Sequence, residues 1–360
     1  MTAEDQRSML VMDFQAAKDL VRAHHGAIAR ANADTMAAAL AEHTAPDWLW
    51  RGMHPFHEQQ GAEAVAQTFW SPFCRAMTRL QRRPDIFMAG LNEMDGFRSV
   101  WVVCMGHLMA LFDRPWLGIR PTGRIVMLRF VEFHRVENGL IRETAQFFDI
   151  PHLMMQAGQN PFPPQTGAHL VQPGPMTHEG LMWEPQDPSL GTATLKAINA
   201  MLNDMGSRER RADPSGYAEE LARTWNDDMI WWGPAGIGAT YTIQRYIRQH
   251  AGPFRDALSK GYRFNGHLCR MAEGHFGGFF GWANLSLRNS GGYMGMTASP
   301  EGLADMRVVD LYREENGKLA ENWIFIDMLH YLSMQGLDVL GRMASLDPAR
   351  QQEPWTSLTH

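Results

Sequence analysis

The strongest constraint on this chain is that it contains nearly the same text twice. Residues 131–149 read VEFHRVENGLIRETAQFFD, and residues 309–327 read VDLYREENGKLAENWIFID. The strings align without a gap, pairing Glu132 with Asp310, His134 with Tyr312, Glu143 with Glu321 and Asp149 with Asp327. Downstream, LMMQAG at 153–158 answers to LSMQG at 332–336. Upstream, DWLWRG at 47–52 answers to DMIWWG at 228–233. Matches kept in one order over so long a span mean duplicated domains, because solenoid units repeat every ~20–50 residues.

A chain of 360 residues is long enough for two domains. Between the copies stand Pro161, Pro163, Pro164, Pro173, Pro175, Pro185 and Pro188, which read as an extended connector. The expected division is therefore 1–185 for the first domain with its linker, 186–345 for the second, and 346–360 for a C-terminal tail. Phe162, Leu170 and Trp183 give the connector side chains with which to dock on a domain.

Apolar spacing predicts a helix over 13–42, answered by 191–225 in the second copy, and a second helix over 61–79, answered by 241–258. The run over 99–112 is apolar on both faces and reads as a central, buried strand. Two more strands, 124–136 and 140–150, are joined by Asn138-Gly139. Asn-Gly is the strongest short hairpin signal, and it recurs at Asn316-Gly317. Helices followed by an antiparallel meander give an α+β fold, with a curled sheet closing over helices into a cone that can hold a small molecule.

Composition excludes several classes of function. Hydrophobic residues make up 45% and charged residues 20%, a globular balance. A net charge of −6 gives no pull toward nucleic acid or anionic membrane. No apolar run is long enough for a transmembrane helix, and the N-terminus MTAEDQRSMLVMDF lacks the layout of a signal peptide. Cys74, Cys104 and Cys269 show no CxxC spacing, so neither a disulfide framework nor a zinc site is expected, and the cytoplasm is the expected compartment. The 25 methionines suit an irregular core or an apolar pocket.

The string from Glu132 to Thr144, with Asp149 and LMMQAG after it, resembles the closing hairpin of SnoaL-like polyketide cyclases (ester cyclases) of the NTF2-like superfamily. PWLGIRPTGR at 115–124, MHPFHEQQGAEAVAQTFWSPF at 53–73, WWGPAGIG at 231–238 and ENWIFID at 321–327 are similar to that family too. The resemblance implies two tandem cone-shaped domains packed as a pseudo-dimer. It also implies a cofactor-independent, metal-free aldol ring closure or related isomerisation of a hydrophobic carbonyl compound, with one Asp as acid/base. The same fold hosts epoxide hydrolases, dehydratases and non-catalytic small-molecule binders, which stay open as alternatives. The copies diverge from the pattern at Ala145 (against Trp323), at Ser299–Gly302 in place of Pro121-Thr122-Gly123, and in the glycine-rich stretch Gly274–Gly281.

Asp149 and Asp327 are the candidate acid/base groups, because a carboxyl at the end of an apolar strand is poorly solvated when charged. The competing reading makes each the N-cap of the helix that follows. His134 and His107 are candidate polar helpers. His134 and Tyr312 could donate to a developing oxyanion or face solvent, and His107 could be a satisfied core histidine. His54, His57, Trp50, Phe147, Trp116, Trp232, Tyr312, Trp323 and Asn284 are the candidate lining of a substrate pocket. His54 and His57 offer too few ligands for a metal. The expected partners are a small hydrophobic molecule and a second copy of the tandem chain.

Overall fold

The computed structural model describes residues 3–208, 216–258 and 262–346. The chain opens with α1 (Ala3–Arg30) and α2 (Met36–Ala41). The single helix expected over 13–42 is broken between them, because the Asn32 side chain accepts from the backbone N–H groups of Asp34 and Thr35 and so competes with the helical ladder. Strands β1 (Thr44–Gly52) and β2 (Glu58–Gln60) follow. Helix α3 (Ala62–Val65) runs through a π turn (Ala66–Trp70) into α4 (Ser71–Ala76). Pro72 has no N–H to give to a helical ladder, and it lies just past that wider turn. Then come β3 (Met77–Leu91), β4 (Val100–Phe112), β5 (Ile125–Glu137), β6 (Leu140–Phe148) and α5 (Ile150–Gln156).

The second half starts with α6 (Pro188–Arg208), α7 (Tyr217–Ala222), β7 (Trp225–Trp232) and β8 (Ala239–Tyr241). Helix α8 (Ile243–Tyr246) passes through a π turn (Ile247–Ala251) into α9 (Gly252–Leu258), again beside a proline, Pro253. After β9 (Arg263–Phe264) come β10 (Cys269–Glu273), β11 (Phe276–Phe280), β12 (Leu285–Leu287) and β13 (Ala304–Met306). The chain continues with β14 (Val308–Glu315), β15 (Lys318–Ile326), α10 (Met328–Met334) and α11 (Val339–Leu346). Leu346 therefore closes a helix, and the rest of the expected tail lies outside the described residues.

The sheets run β2-β1-β6-β5-β4-β3 in one half and β8-β7-β15-β14-β11-β10 in the other, the same order element for element. In each, the first strand pairs in parallel with the closing strand, β1 with β6 and β7 with β15, which corrects the all-antiparallel expectation. A small third sheet, β13-β12-β9, belongs to the second half alone. Both hairpins turn at left-handed Asn-Gly pairs: φ is 53° and 71° at Asn138 and Gly139, and 54° and 80° at Asn316 and Gly317.

Residues paired directly across strands share a face. In the first sheet, Cys104 opposes Glu132, Glu132 opposes Gln146, and His134 opposes Thr144. This inner face is covered by α1, whose buried positions Ala17, Val21, His24 and Ile28 recur at helical spacing. The outer face carries Arg129, Phe133 and Phe147 and meets the second half. Phe133 packs on Phe280 at 5.0 Å and Phe147 on Trp282 at 5.5 Å. Arg129 donates to the carbonyls of Ile324 and Trp232. Both faces of β4 are covered in this way, which explains its doubly apolar sequence. The strand lies next to an edge of the sheet, not at its centre.

The connector lies along both halves. Phe87 N of β3 donates to the Gly180 carbonyl and Met182 N to the Phe87 carbonyl, Trp183 packs on Phe87, and Ala168 bridges Ala239 of β8. Phe162 is buried, but Leu170 stays exposed.

Candidate active site in the first cone

A cluster of buried polar side chains stands between α1 and the inner face of the first sheet. His24 and His25 come from α1, Arg82 from β3, Glu132 and His134 from β5, and Thr144 and Gln146 from β6. Trp48, Trp50 and Trp70 wall a void of about 10 Å³ among them, room for one water-sized guest. At its centre is Glu132, 3% exposed. One of its oxygens accepts from Gln146 Nε2, and the other accepts from Arg82 Nη1 at 2.6 Å. His25 Nε2 stands 3.0 Å and His134 Nε2 3.5 Å from that second oxygen.

Several side-chain nitrogens of the cluster lack alignment with any partner. His24 Nδ1, His25 Nε2, His134 Nε2 and Arg82 Nη2 are buried without a hydrogen bond. Such groups also stand elsewhere among the described residues, at His107 Nε2 and Trp232 Nε1 for example, but here several gather around one carboxylate. The other side of the His134 ring is held: its Nδ1 lies 2.9 Å from Thr144 Oγ1, which accepts from Trp48 Nε1. Trp50 Nε1 donates to Gln146 Oε1.

Burial pushes the His24 imidazolium well below its usual range, with His134 and His25 adding repulsion. Burial and then Arg82 bring His25 down to about 4. Burial alone would raise the Glu132 carboxyl, but Arg82 and the imidazoles of His134 and His25 outweigh it and hold it well below its usual range. The cluster is therefore a carboxylate faced by the neutral imidazoles of His24 and His25 at neutral pH. Burial pushes the nearby Cys104 thiol up to about 12, so it is no nucleophile.

The second interior has different chemistry. Asp310, Tyr312 and Asn322 stand where Glu132, His134 and Thr144 stand in the first, and α6 buries Thr194, Ile198 and Met201 with no imidazole. Asn322 donates to Asp310 Oδ1 at 3.0 Å, and burial lifts that carboxyl to about 7. The glycine-rich strand lets α6 approach closely: a Cβ on Gly277 would stand 2.8 Å from the Ile198 side chain. A larger cleft, about 150 Å³, separates α1 from α6. Lys18 and Glu273 meet there at 2.5 Å and satisfy each other across the halves.

Of the sequence-predicted site residues, His134 and Trp50 reach the first cluster and Tyr312 the second. Asp149 and Asp327 lie on the outer faces. Asp149 Oδ1 caps α5 through His152 N, and its Oδ2 accepts from Ala235 N of the other half. Asp327 Oδ1 caps α10 through His330 N, and its Oδ2 accepts from His54 N. The two contacts are reciprocal. His107 also faces outward and pairs with Asp85 at 3.3 Å. Asn284 accepts from Val308 N. Phe147 packs on Trp282, and Trp232 is buried at the Arg129 contact. Trp323 donates to the Pro173 carbonyl. Trp116 packs under the α3–α4 helix against Phe73 at 5.2 Å. His54 and His57 stack edge to face at 5.5 Å in their loop.

Sequence patterns alone do not single out His24, His25, Arg82, Glu132, Thr144 or Gln146. Two signals were available: a histidine on the buried stripe of α1, and the Glu-Phe-His alternation of β5, which puts Glu132 and His134 on one face.

No helix among the described residues is long and apolar enough to cross a membrane. No family model and no curated protein matches the chain. Solved structures do: the chain is similar to SnoaL-like polyketide cyclases and NTF2-like proteins. A provisionally assigned SnoaL-like polyketide cyclase from Jannaschia sp. CCS1 shares 21% identity over 42% of this chain and 94% of its own, at a TM-score of 0.32. An NTF2-like protein from Burkholderia thailandensis shares 21% over 39% and 96%, at 0.29. An LEH-like epoxide hydrolase from M. tuberculosis shares 12% over 44% and 98%, at 0.28.

Proposed function

We propose that the chain is a tandem pair of SnoaL-like cones, 1–185 and 186–345, packed as a pseudo-dimer, with its working centre in the first cone. Its function there is acid–base chemistry on a small, largely apolar carbonyl compound, of the lyase or isomerase type. The observation that carries this reading is the convergence of unpartnered imidazole nitrogens on one buried carboxylate. A neutral imidazole can take a proton from carbon beside a carbonyl or donate to the developing oxyanion. Placing the chemistry on His24, His25, Glu132 and His134 leaves Asp149 and Asp327 as structural caps. The second cone, without imidazoles on its helix, is then a diverged partner. The protein works in the cytoplasm on this reading.

The void holds one water-sized guest, so a substrate displaces the Trp70 ring, which sits on the π turn above it. Native mass spectrometry of co-purifying ligands, followed by a panel of polyketide-like ketones, steroid-like enones and epoxides, tests the proposal. Turnover that falls ~10²–10⁴-fold in His134→Ala supports it. Turnover indifferent to His134 and Glu132 removes the centre from this cone. A co-purified ligand without turnover on any substrate favours the non-catalytic binder.

A further inference from the structure

We infer that His25, Glu132 and His134 form a binding site for one divalent transition ion of the zinc or ferrous type. This rests on the reading that the first cone is the working centre. Two imidazoles and one carboxylate are the donor set that holds Zn²⁺ with a position left open, and the facial set of non-haem Fe(II). No spacing in the chain signals it, because one ligand lies on a helix and two on a strand far along the chain.

The distances fit. Donors ~2.1 Å from a shared ion stand ~3.0–3.4 Å apart at angles between octahedral and tetrahedral. His25 Nε2 and Glu132 Oε2 are 3.0 Å apart, and His134 Nε2 and Glu132 Oε2 are 3.5 Å apart. All three donor atoms lie within 4.8 Å of one another, and no other such group occurs among the described residues.

A second, independent observation points the same way. The His134 side chain is 2% exposed, its residue lines the void, and its Nε2 has no hydrogen-bond partner; His25 Nε2 is likewise buried without one. The void is the size of an ion or one water, too small for an organic ligand as it stands. The surrounding groups also suit a metal site. Thr144 fixes the His134 ring through Nδ1, so that Nε2 can present its lone pair, and Gln146 holds the free oxygen of Glu132. Arg82 neutralises Glu132 without an ion, and its guanidinium lies over the Phe130 ring at 4.7 Å, where it can stay when the carboxylate turns to a cation. A bound ion would offer its open position to a carbonyl oxygen, with His24 as the neighbouring base.

The test is titration of chelator-treated, tag-free full-length protein with Zn²⁺ by calorimetry and with Co²⁺ by visible absorption. One ion per chain is expected, with ligand-field bands for Co²⁺. His25→Ala and His134→Ala should each weaken binding ~10²-fold or more, while His54→Ala/His57→Ala leaves it unchanged. Arg82→Gln should keep the ion, because the carboxylate and imidazoles hold it; loss in that variant alone would indicate an anion on Arg82 and overturn the inference. If His134→Ala misfolds by circular dichroism, His25→Ala carries the comparison, and His134→Cys should restore Co²⁺ binding with a thiolate charge-transfer band. Substoichiometric binding, or binding indifferent to His25 and His134, overturns the site. Turnover by metal-free protein that vanishes in His134→Ala would also overturn it while leaving the cone reading intact. Stoichiometric binding without any turnover would uphold the ion and count against the enzyme.

Discussion

Replacing Asp327 by alanine should destabilise the whole chain while leaving the His24, Glu132 and His134 cluster in place. The side chain is 0% exposed, and three donors converge on it: His330 N at 3.3 Å, His54 N at 3.0 Å and Arg307 Nη1 at 3.3 Å. Loss of the cap costs ~1 kcal/mol. Leaving His54 N–H and the Arg307 guanidinium without their acceptor costs a further ~1–3 kcal/mol. Burial raises the carboxyl to about 6, so part of this gain is offset at neutral pH by the cost of keeping the charge buried. The net expectation is ~2–3 kcal/mol, read as a lower urea midpoint at pH 7 by circular dichroism and tryptophan fluorescence. Asp327→Asn should lose less, ~1–2 kcal/mol, because its single oxygen can serve the cap or the cross-half contact but not both. Asp149→Ala should behave alike through His152 N and Ala235 N. An Asp327→Ala midpoint equal to that of the parent chain would refute the idea that these aspartates clamp the halves together.

Two further outcomes are expected. Lys18→Met should cost ~3–5 kcal/mol in urea unfolding, because Glu273 is left buried with only Ala89 N as donor, and Lys18→Met/Glu273→Gln should recover much of it; equal losses in the single and double variants would contradict this. Asp310 titrates higher in the folded chain, at about 7, than its unfolded value near ~4, so its stabilising contribution is full below pH ~4 and is lost as pH rises through about 7. Melting temperatures compared at pH 5 and pH 8 should therefore fall less in Asp310→Asn than in the parent chain, and an unchanged difference would exclude the linkage.

Much of the fold was legible because its signals are local. Asn138-Gly139 and Asn316-Gly317 need only two residues that tolerate positive φ. The gapless repeat of the closing strands corresponds to sheets with one strand order. Strand β3 was illegible for a local reason too: Arg82, Arg83 and Pro84 interrupt it, which only an edge strand accepts. The parallel pairing of β1 with β6 left no local mark, because it joins segments from opposite ends of the domain.

The site was harder to read than the fold. Alternation along β6 puts Phe147 and Ala145 on one face, but it does not say which face of a sheet looks inward when both are buried. The presence of a second apolar body, the other half, turned the Asp149 face into an interface. On the inner face the informative residues were polar ones at core positions, His24 on its helix stripe and Glu132 beside His134. Their meaning depends on α1 crossing the sheet at that point, which is a tertiary fact.

The most direct test of the central claim is a side-by-side measurement of kcat/KM, on whichever substrate the panel identifies, for Glu132→Gln, His134→Ala, Asp149→Asn and Asp327→Asn, each checked for folding at the assay temperature. The account expects the first two to fall ~10²-fold or more and the two aspartate variants to stay within a few-fold of the parent chain. The reverse pattern, with the aspartate variants inactive and the cone variants fully active, would contradict it.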